Sequence, residues 1–96
     1  MTRRLTLTVD AQADLVDIYD YTFRTWGRRQ AEAYTLGLEQ QLATIDMDEA
    51  SLRPIPERKG LFRFSYQAHI VVLRLNQEET KILRILHERM DMLRHI

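Results

Sequence analysis

The stretch Thr80-Lys81-Ile82-Leu83-Arg84-Ile85-Leu86, near the end of a 96-residue chain, sets the terms for everything before it. Ile82, Leu83, Ile85 and Leu86 put apolar groups on both faces of an extended segment. A strand of that kind is buried on two sides, so it belongs in the middle of a sheet with material packed over it. The rest of the chain must supply flanking strands and a covering layer. Arg84 interrupts the run. An arginine is rarely buried without a partner, so it either reaches an edge or pairs with a carboxylate or phosphate. His87 marks the point where the strand gives way to a short charged tail.

The flanking strands follow from alternation and turn residues. Leu61 to Tyr66 places Phe62, Phe64 and Tyr66 on one face, with Leu61, Arg63 and Ser65 on the other. Gln67-Ala68 makes a tight connection to His69–Leu75, again apolar on both faces, and Asn76–Glu79 turns the chain into Thr80–Leu86. Short turns between sequential strands imply an antiparallel meander. At the start, Leu5, Leu7 and Val9 alternate with Thr6 and Thr8, which reads as a further strand.

Two helices supply the covering layer. Thr8 or Asp10 can cap the first, in which Leu15, Ile18, Tyr19, Thr22, Phe23 and Trp26 form an apolar stripe. Asp10, Asp14, Asp17 and Asp20 fall opposite. Four acids could bind a metal, but the solvated side of an amphipathic helix accounts for them better. Gly27 ends this helix. A second runs from Arg28 to Ile45 with Ala31, Tyr34, Leu38, Leu42 and Ile45 as its stripe, giving an antiparallel helical hairpin. Leu36 lies off that stripe; a lone exposed leucine is ordinary, but it could also be part of a partner's landing site. Asp46 to Gly60 reads as a loop, since Pro54 and Pro56 forbid helix or central strand. The expected architecture is α+β: an N-terminal strand, an αα-hairpin packed on a three- to four-stranded, mainly antiparallel twisted sheet, and a short helical tail.

Residues 1–96 make one domain, large enough to bury a core without staples. No cysteine is present, which excludes disulfides and thiolate chemistry and fits a reducing cytoplasm. No apolar run approaches membrane-spanning length, and Met1–Thr6 carries no secretion-signal core. The net charge of zero is unevenly placed. Residues 1–52 hold 5 Lys/Arg against 9 Asp/Glu, and residues 53–96 hold 9 against 5. A basic half suits an acidic partner or nucleic acid, although solvated helices against a strand-rich half would leave the same imbalance.

Two blocks at opposite ends carry a family resemblance. Arg84-Ile85-Leu86-His87-x-x-Met90-Asp91 resembles the C-terminal signature of the ParE branch of the ParE/RelE toxins. Ala13-Asp14-Leu15-x-x-Ile18, Tyr21, Trp26-Gly27, Gln30-Ala31 and Tyr34 resemble that family's opening helical hairpin. The chain departs from the pattern at Gly60-Leu61-Phe62, where the arginine comes one place later at Arg63. It departs again at Val72-Leu73-Arg74, where family members often carry an aromatic pair. The resemblance implies a cytoplasmic toxin of a type II toxin–antitoxin pair, neutralised by a ParD-like antitoxin that wraps it. It further implies inhibition of DNA gyrase by binding, without a cofactor and without direct nucleic-acid recognition.

The alternative within the superfamily is a RelE-like ribosome-dependent messenger-RNA interferase. A metal-free ribonuclease needs a proton acceptor, cations for the phosphorane and an acid for the leaving oxygen. Here His87, Arg63, Arg74 and Arg84 would have to serve. No tyrosine follows the last strand and Lys81 is the only lysine after Lys59, so this set is thin. A third possibility is a non-toxic relic that keeps only antitoxin binding. Under the favoured reading the target-binding surface comprises Arg84, His87, Arg89, Met90, Asp91 and Arg94, and Leu36, Arg63 and Arg74 contact the antitoxin. Arg and Met are favoured in interface cores. The tail is too short to hold a core of its own, so its chemistry is free to serve a partner, and deleting Asp91–Ile96 is expected to abolish toxicity while leaving the fold and antitoxin binding intact. The competing expectation has Met90 and Leu93 covering the sheet, Asp91 capping a tail helix and Arg84 paired to a helix carboxylate. His69 is expected to be a hydrogen-bonding histidine beside a turn.

Overall fold

In the computed structural model, which describes residues 3–45 and 49–96, a five-stranded sheet carries the helical hairpin on one face. The elements are β1 (Arg4–Leu7), α1 (Val9–Trp26), α2 (Arg28–Ala43), β2 (Arg53–Pro54), β3 (Leu61–Tyr66), β4 (His69–Leu75) and β5 (Glu79–His87). The strand order is β1-β5-β4-β3-β2. β1 runs parallel to β5, and every other pair is antiparallel. The doubly apolar β5 is therefore interior along its first half, between β1 and β4. No described helix is long and apolar enough to cross a membrane.

A bulge explains why β5 is apolar on consecutive positions. Val72 faces Arg84 but Leu73 faces Ile82, so Leu83 is an extra residue on β5. The insertion shifts the pleat by one place. Ile82 and Ile85 consequently both enter the helix-side core, with Ile18, Leu38, Leu42, Phe64, Val71 and Leu73. Leu83 joins the opposite face, where Ile55, Leu61 and Val72 form a second, smaller core. Leu38, Leu73 and Ile82 are fully buried, each contributing about 1.5–3 kcal/mol relative to exposure.

The hairpin is joined by a single residue. Gly27, at φ 92°, donates its N–H to the Phe23 carbonyl, and its own carbonyl accepts the Ala31 N–H. Only glycine takes that backbone conformation without steric cost. The β3–β4 turn places Gln67 at φ 50°. At the β4–β5 turn the Asn76 side chain accepts the N–H groups of Glu78 and Glu79 at 2.8 and 2.7 Å.

Several expectations are corrected. Val9 is not in a strand: Thr8 caps α1, its hydroxyl accepting the Ala11 N–H at 3.0 Å, and Val9 is the exposed first residue of the helix. The buried line of α1 runs through Ala11, Asp14, Ile18 and Thr22. The helix is thus rotated from the expected stripe, because Asp14 turns inward to β5. Phe23 and Trp26 are exposed, Phe23 stacking on Tyr19 along the surface. Asp14 is correspondingly not on the solvated side with Asp10, Asp17 and Asp20. The loop expected over Asp46–Gly60 contains the short edge strand β2, which brings the sheet to five strands; Asp46, Met47 and Asp48 lie outside the described residues.

The tail is also not free of the core. After β5, residues Met92–Arg94 form a 3₁₀ turn, and Met92, Leu93 and Ile96 pack on the second core. Arg58 donates to the carbonyls of Leu93 at 3.3 Å and Ile96 at 3.4 Å, and Arg84 donates to that of His95 at 3.5 Å. Deleting Asp91–Ile96 would uncover Leu61 and Val72. The expectation that the fold survives this deletion does not agree with these contacts.

Candidate functional site

β1 ends at Leu7, opposite Ile82, so the outer edge of β5 beyond that point needs other partners. The start of α1 provides them. The Thr8 hydroxyl donates to the Leu83 carbonyl at 2.8 Å, and the Asp14 carboxylate accepts the Ile85 N–H at 2.8 Å. The same carboxylate receives both Nε and Nη2 of Arg84 at 2.9 Å. Asp14 is 9% exposed. A bidentate, charge-assisted pair of this kind is among the stronger polar contacts a protein makes. It holds the Arg84 guanidinium above its already high ordinary pKa. Arg84, expected on the target surface, is therefore engaged within the fold, as the competing view anticipated.

Beside this pair lies a groove of about 370 Å³ between α1 and the far end of the sheet. Ile18, Tyr21 and Asp17 line one wall, and His69, His87, Arg89 and Met90 line the other. It continues into a second hollow of about 240 Å³ bordered by Trp26, Gln30, Tyr34 and Gln67, with Tyr21, His69 and His87 shared. Tyr21 is 65% exposed, Trp26 70% and Met90 48%.

The His69 and His87 rings on that wall belong to a row fixed by strand register. Tyr66 faces His69 on β4, and His69 faces His87 on β5. The two imidazoles stand edge to face with centroids 5.4 Å apart. The Tyr34 hydroxyl sits 2.6 Å from His69 Nδ1 and donates to the Tyr66 carbonyl at 3.4 Å. Both contacts are satisfied together when Nδ1 carries the proton and donates to the phenol oxygen. Burial, then the neighbouring His87, push the His69 pKa below its ordinary value, against a smaller pull from Glu88 and Asp14. Burial raises the Tyr34 hydroxyl above its own. The Arg89 N–H donates to His87 Nδ1 at 3.1 Å.

The remaining candidates fall in separate places. Arg89 and Met90 stand at the groove. Asp91 precedes the 3₁₀ turn without capping it, and instead pairs with Arg94 at 3.3 Å on the surface. Leu36 is 57% exposed on α2. Arg63 and Arg74 lie on the sheet face away from the helices, sharing it with Leu61 and Val72. The four residues a nuclease would need are not brought together. His69, opposite His87, is five residues along β4 from Arg74, roughly 16 Å at the usual strand rise. Among the described residues no group of His, Asp and Glu side chains could hold a metal ion. Tyr21, Trp26, Tyr34 and His69 were missed as site residues: Trp26 and Tyr34 look like core positions in the sequence, His69 like a turn position, and Tyr21 carries no mark of its own. Only the register that aligns Tyr66, His69 and His87 reveals the row.

Comparison with known proteins agrees with the motif reading. A family model described as the ParE toxin of the parDE type II toxin–antitoxin system matches residues 5–92. Toxin ParE of Escherichia coli is 36% identical over 89 residues, covering 91% of this chain and 86% of its own. Toxin ParE1 of Mycobacterium tuberculosis is 34% identical over 98 residues, spanning both chains fully. Among solved structures, one from the chromosomal ParDE system of Pseudomonas aeruginosa superposes with a TM-score of 0.78 at 25% identity, covering 88% of this chain and 95% of its own. The RelBE2 complex of Mycobacterium tuberculosis shares the fold at a TM-score of 0.64 and 17% identity, covering 91% and 99%.

Proposed function

The chain belongs to the ParE family of type II toxin–antitoxin toxins, and from that premise we propose that it arrests growth by binding DNA gyrase in the cytoplasm, and that a ParD-like antitoxin silences it. The observation that carries the binding reading is the groove. Exposed Tyr21, Trp26 and Met90 stand around the His69 and His87 rings beside Arg89, a composition typical of interface centres. The dispersal of His87, Arg63 and Arg74, and the engagement of Arg84 by Asp14, favour binding over RNA cleavage. Arg89, Met90, Asp91, Arg94 and His87 remain the proposed target surface, with Tyr21 and Trp26 added. Leu36 lies on the helical layer, whereas Arg63 and Arg74 lie on the sheet face away from it, so an antitoxin touching all three must wrap the domain.

The test is expression without the partner gene, followed by supercoiling assays with purified gyrase. Wild type is expected to arrest growth and inhibit gyrase, and Trp26→Ala and Met90→Ala to weaken inhibition about tenfold or more while retaining the fold. Messenger RNA cut in wild-type cells but intact with His87→Gln would establish an interferase instead. A harmless protein that still binds the antitoxin would establish the relic.

A further inference from the structure

We propose that Arg53 and Arg63 form an anion clamp that takes a single carboxylate, contributed by an acidic side chain of the polypeptide partner. The proposal deepens the antitoxin reading and rests on it for the identity of the donor, not for the existence of the site. The register places Arg53 directly opposite Arg63 across β2 and β3. Side chains directly opposite share a face with Cβ atoms about 5 Å apart, and like charges there are destabilising. Nothing among the described residues relieves them: the ion pairs of the structure involve Arg3, Arg28, Arg84 and Arg94, and neither Arg53 nor Arg63. A cavity of about 260 Å³ opens between them, with the hydroxyl-bearing Ser51 and Ser65 on its wall. Two arginines lining one hollow of that size match a carboxylate held by paired N–H donors.

The surroundings narrow the occupant. β2 is an edge, but Pro54 lacks an N–H, so a partner gains little by adding a strand there. Recognition must go through side chains. Arg74 and Lys81 face each other on the same side of the sheet but stand apart from this cavity. The apolar positions Leu61 and Val72, covered by the tail, occupy the ground between the two cation pairs. The cation field is thus divided, which suits separate acidic side chains of a wrapped polypeptide better than the continuous charge of a nucleic-acid backbone.

Two measurements test the clamp. In the first, the arginine Nε–Hε resonances of the isolated protein are followed by NMR during titration with N-acetylglutamate and, separately, inorganic phosphate. Arg53 and Arg63 are expected to shift saturably with N-acetylglutamate, and Arg63→Gln to abolish the response at Arg53. Saturation by phosphate at tenfold lower concentration would overturn the carboxylate assignment in favour of a phosphate ligand, and no saturable shift with either would overturn the site. In the second, dissociation of the co-purified two-chain complex is timed. Arg53→Gln/Arg63→Gln is expected to speed it at least tenfold, with the exposed α2 substitution Arg29→Gln unchanged. Equal effects of the two would overturn the partner contact. If no complex forms at all, the antitoxin reading fails and the proposal with it as regards the donor, while the titration still decides the site.

Discussion

Replacing Asp14 by alanine should be the most damaging single polar change in this domain. The carboxylate accepts three hydrogen bonds, two from Arg84 and one from the Ile85 N–H. Removing one member of a buried ion pair costs about 3–5 kcal/mol. The Arg84 side chain retains 24% exposure, so water recovers part of that and about 2 kcal/mol remains. The orphaned Ile85 N–H adds about 1–2 kcal/mol. Asp14→Ala is therefore expected to lose about 3–4 kcal/mol. Asp14→Asn keeps one acceptor oxygen for Ile85 but gives up the charge and one of the two Arg84 hydrogen bonds, for a loss of about 2 kcal/mol. Urea unfolding followed by circular dichroism reads both. With a slope near 1.5 kcal/mol/M, the alanine midpoint should fall by about 2 M. Adding Arg84→Met to Asp14→Ala should recover part of the loss, since an unpaired buried cation is worse than none. An alanine variant within 0.5 kcal/mol of wild type, or one equal to Asp14→Asn, would refute the claim that this carboxylate closes the β5 edge.

Three other outcomes follow from the same contacts. The folded-state pKa of His69 is depressed, so the unfolded chain binds the extra proton first; stability should be unaffected above the ordinary histidine pKa of about 6.5 and fall as pH drops below it, and His69→Gln should flatten that slope in pH-dependent urea melts. An added methyl at Gly37 would run into the Tyr66 hydroxyl, which is itself packed edge to face on Tyr34; Gly37→Ala should therefore destabilise by about 1 kcal/mol net, despite the better helix propensity, and a stabilised variant in thermal unfolding would show that Tyr66 moves freely. Leu93→Ala should cost about 1–3 kcal/mol by thinning the second core, whereas Met90→Ala should leave the melting temperature within a degree or two, so the pair separates the tail's structural residues from its exposed ones.

Much of the fold was legible because its signals are local. Alternation at Phe62, Phe64 and Tyr66, turns at Gln67 and Asn76, and Gly27 between two helical stripes each act within a few residues, and each gave the right element. What failed depends on distant partners. α1 carries a plausible apolar stripe through Phe23 and Trp26, but the helix rotates to bring Asp14 to β5, seventy-one positions away from Ile85. The bulge at Leu83 is equally hidden, since a shifted pleat and a doubly buried strand both read as consecutive apolar residues. β2 escaped notice because two residues ending in Pro54 resemble a loop until a neighbour pairs with them. The groove was half visible: its tail residues stood out as charge after an apolar strand, while His69 and Tyr34 carry no mark of what they will face.

The charge asymmetry between the two halves of the chain gains a sharper meaning in three dimensions. Arg84 is neutralised by an acid from the other half, and Arg58 is committed to the carbonyls of the tail. Arg94 is matched locally by Asp91. These cations answer to the fold. Arg53 and Arg63, directly opposite each other across β2 and β3, form no ion pair among the described residues. A domain with as many acidic as basic residues has no shortage of counter-charges to place there. Among the described residues, Asp10, Asp17 and Asp20 stand exposed on α1 instead. Such segregation raises the energy of the isolated chain and lowers that of a complex that supplies the missing anion. Under the proposed antitoxin reading, that difference is what the partner exploits.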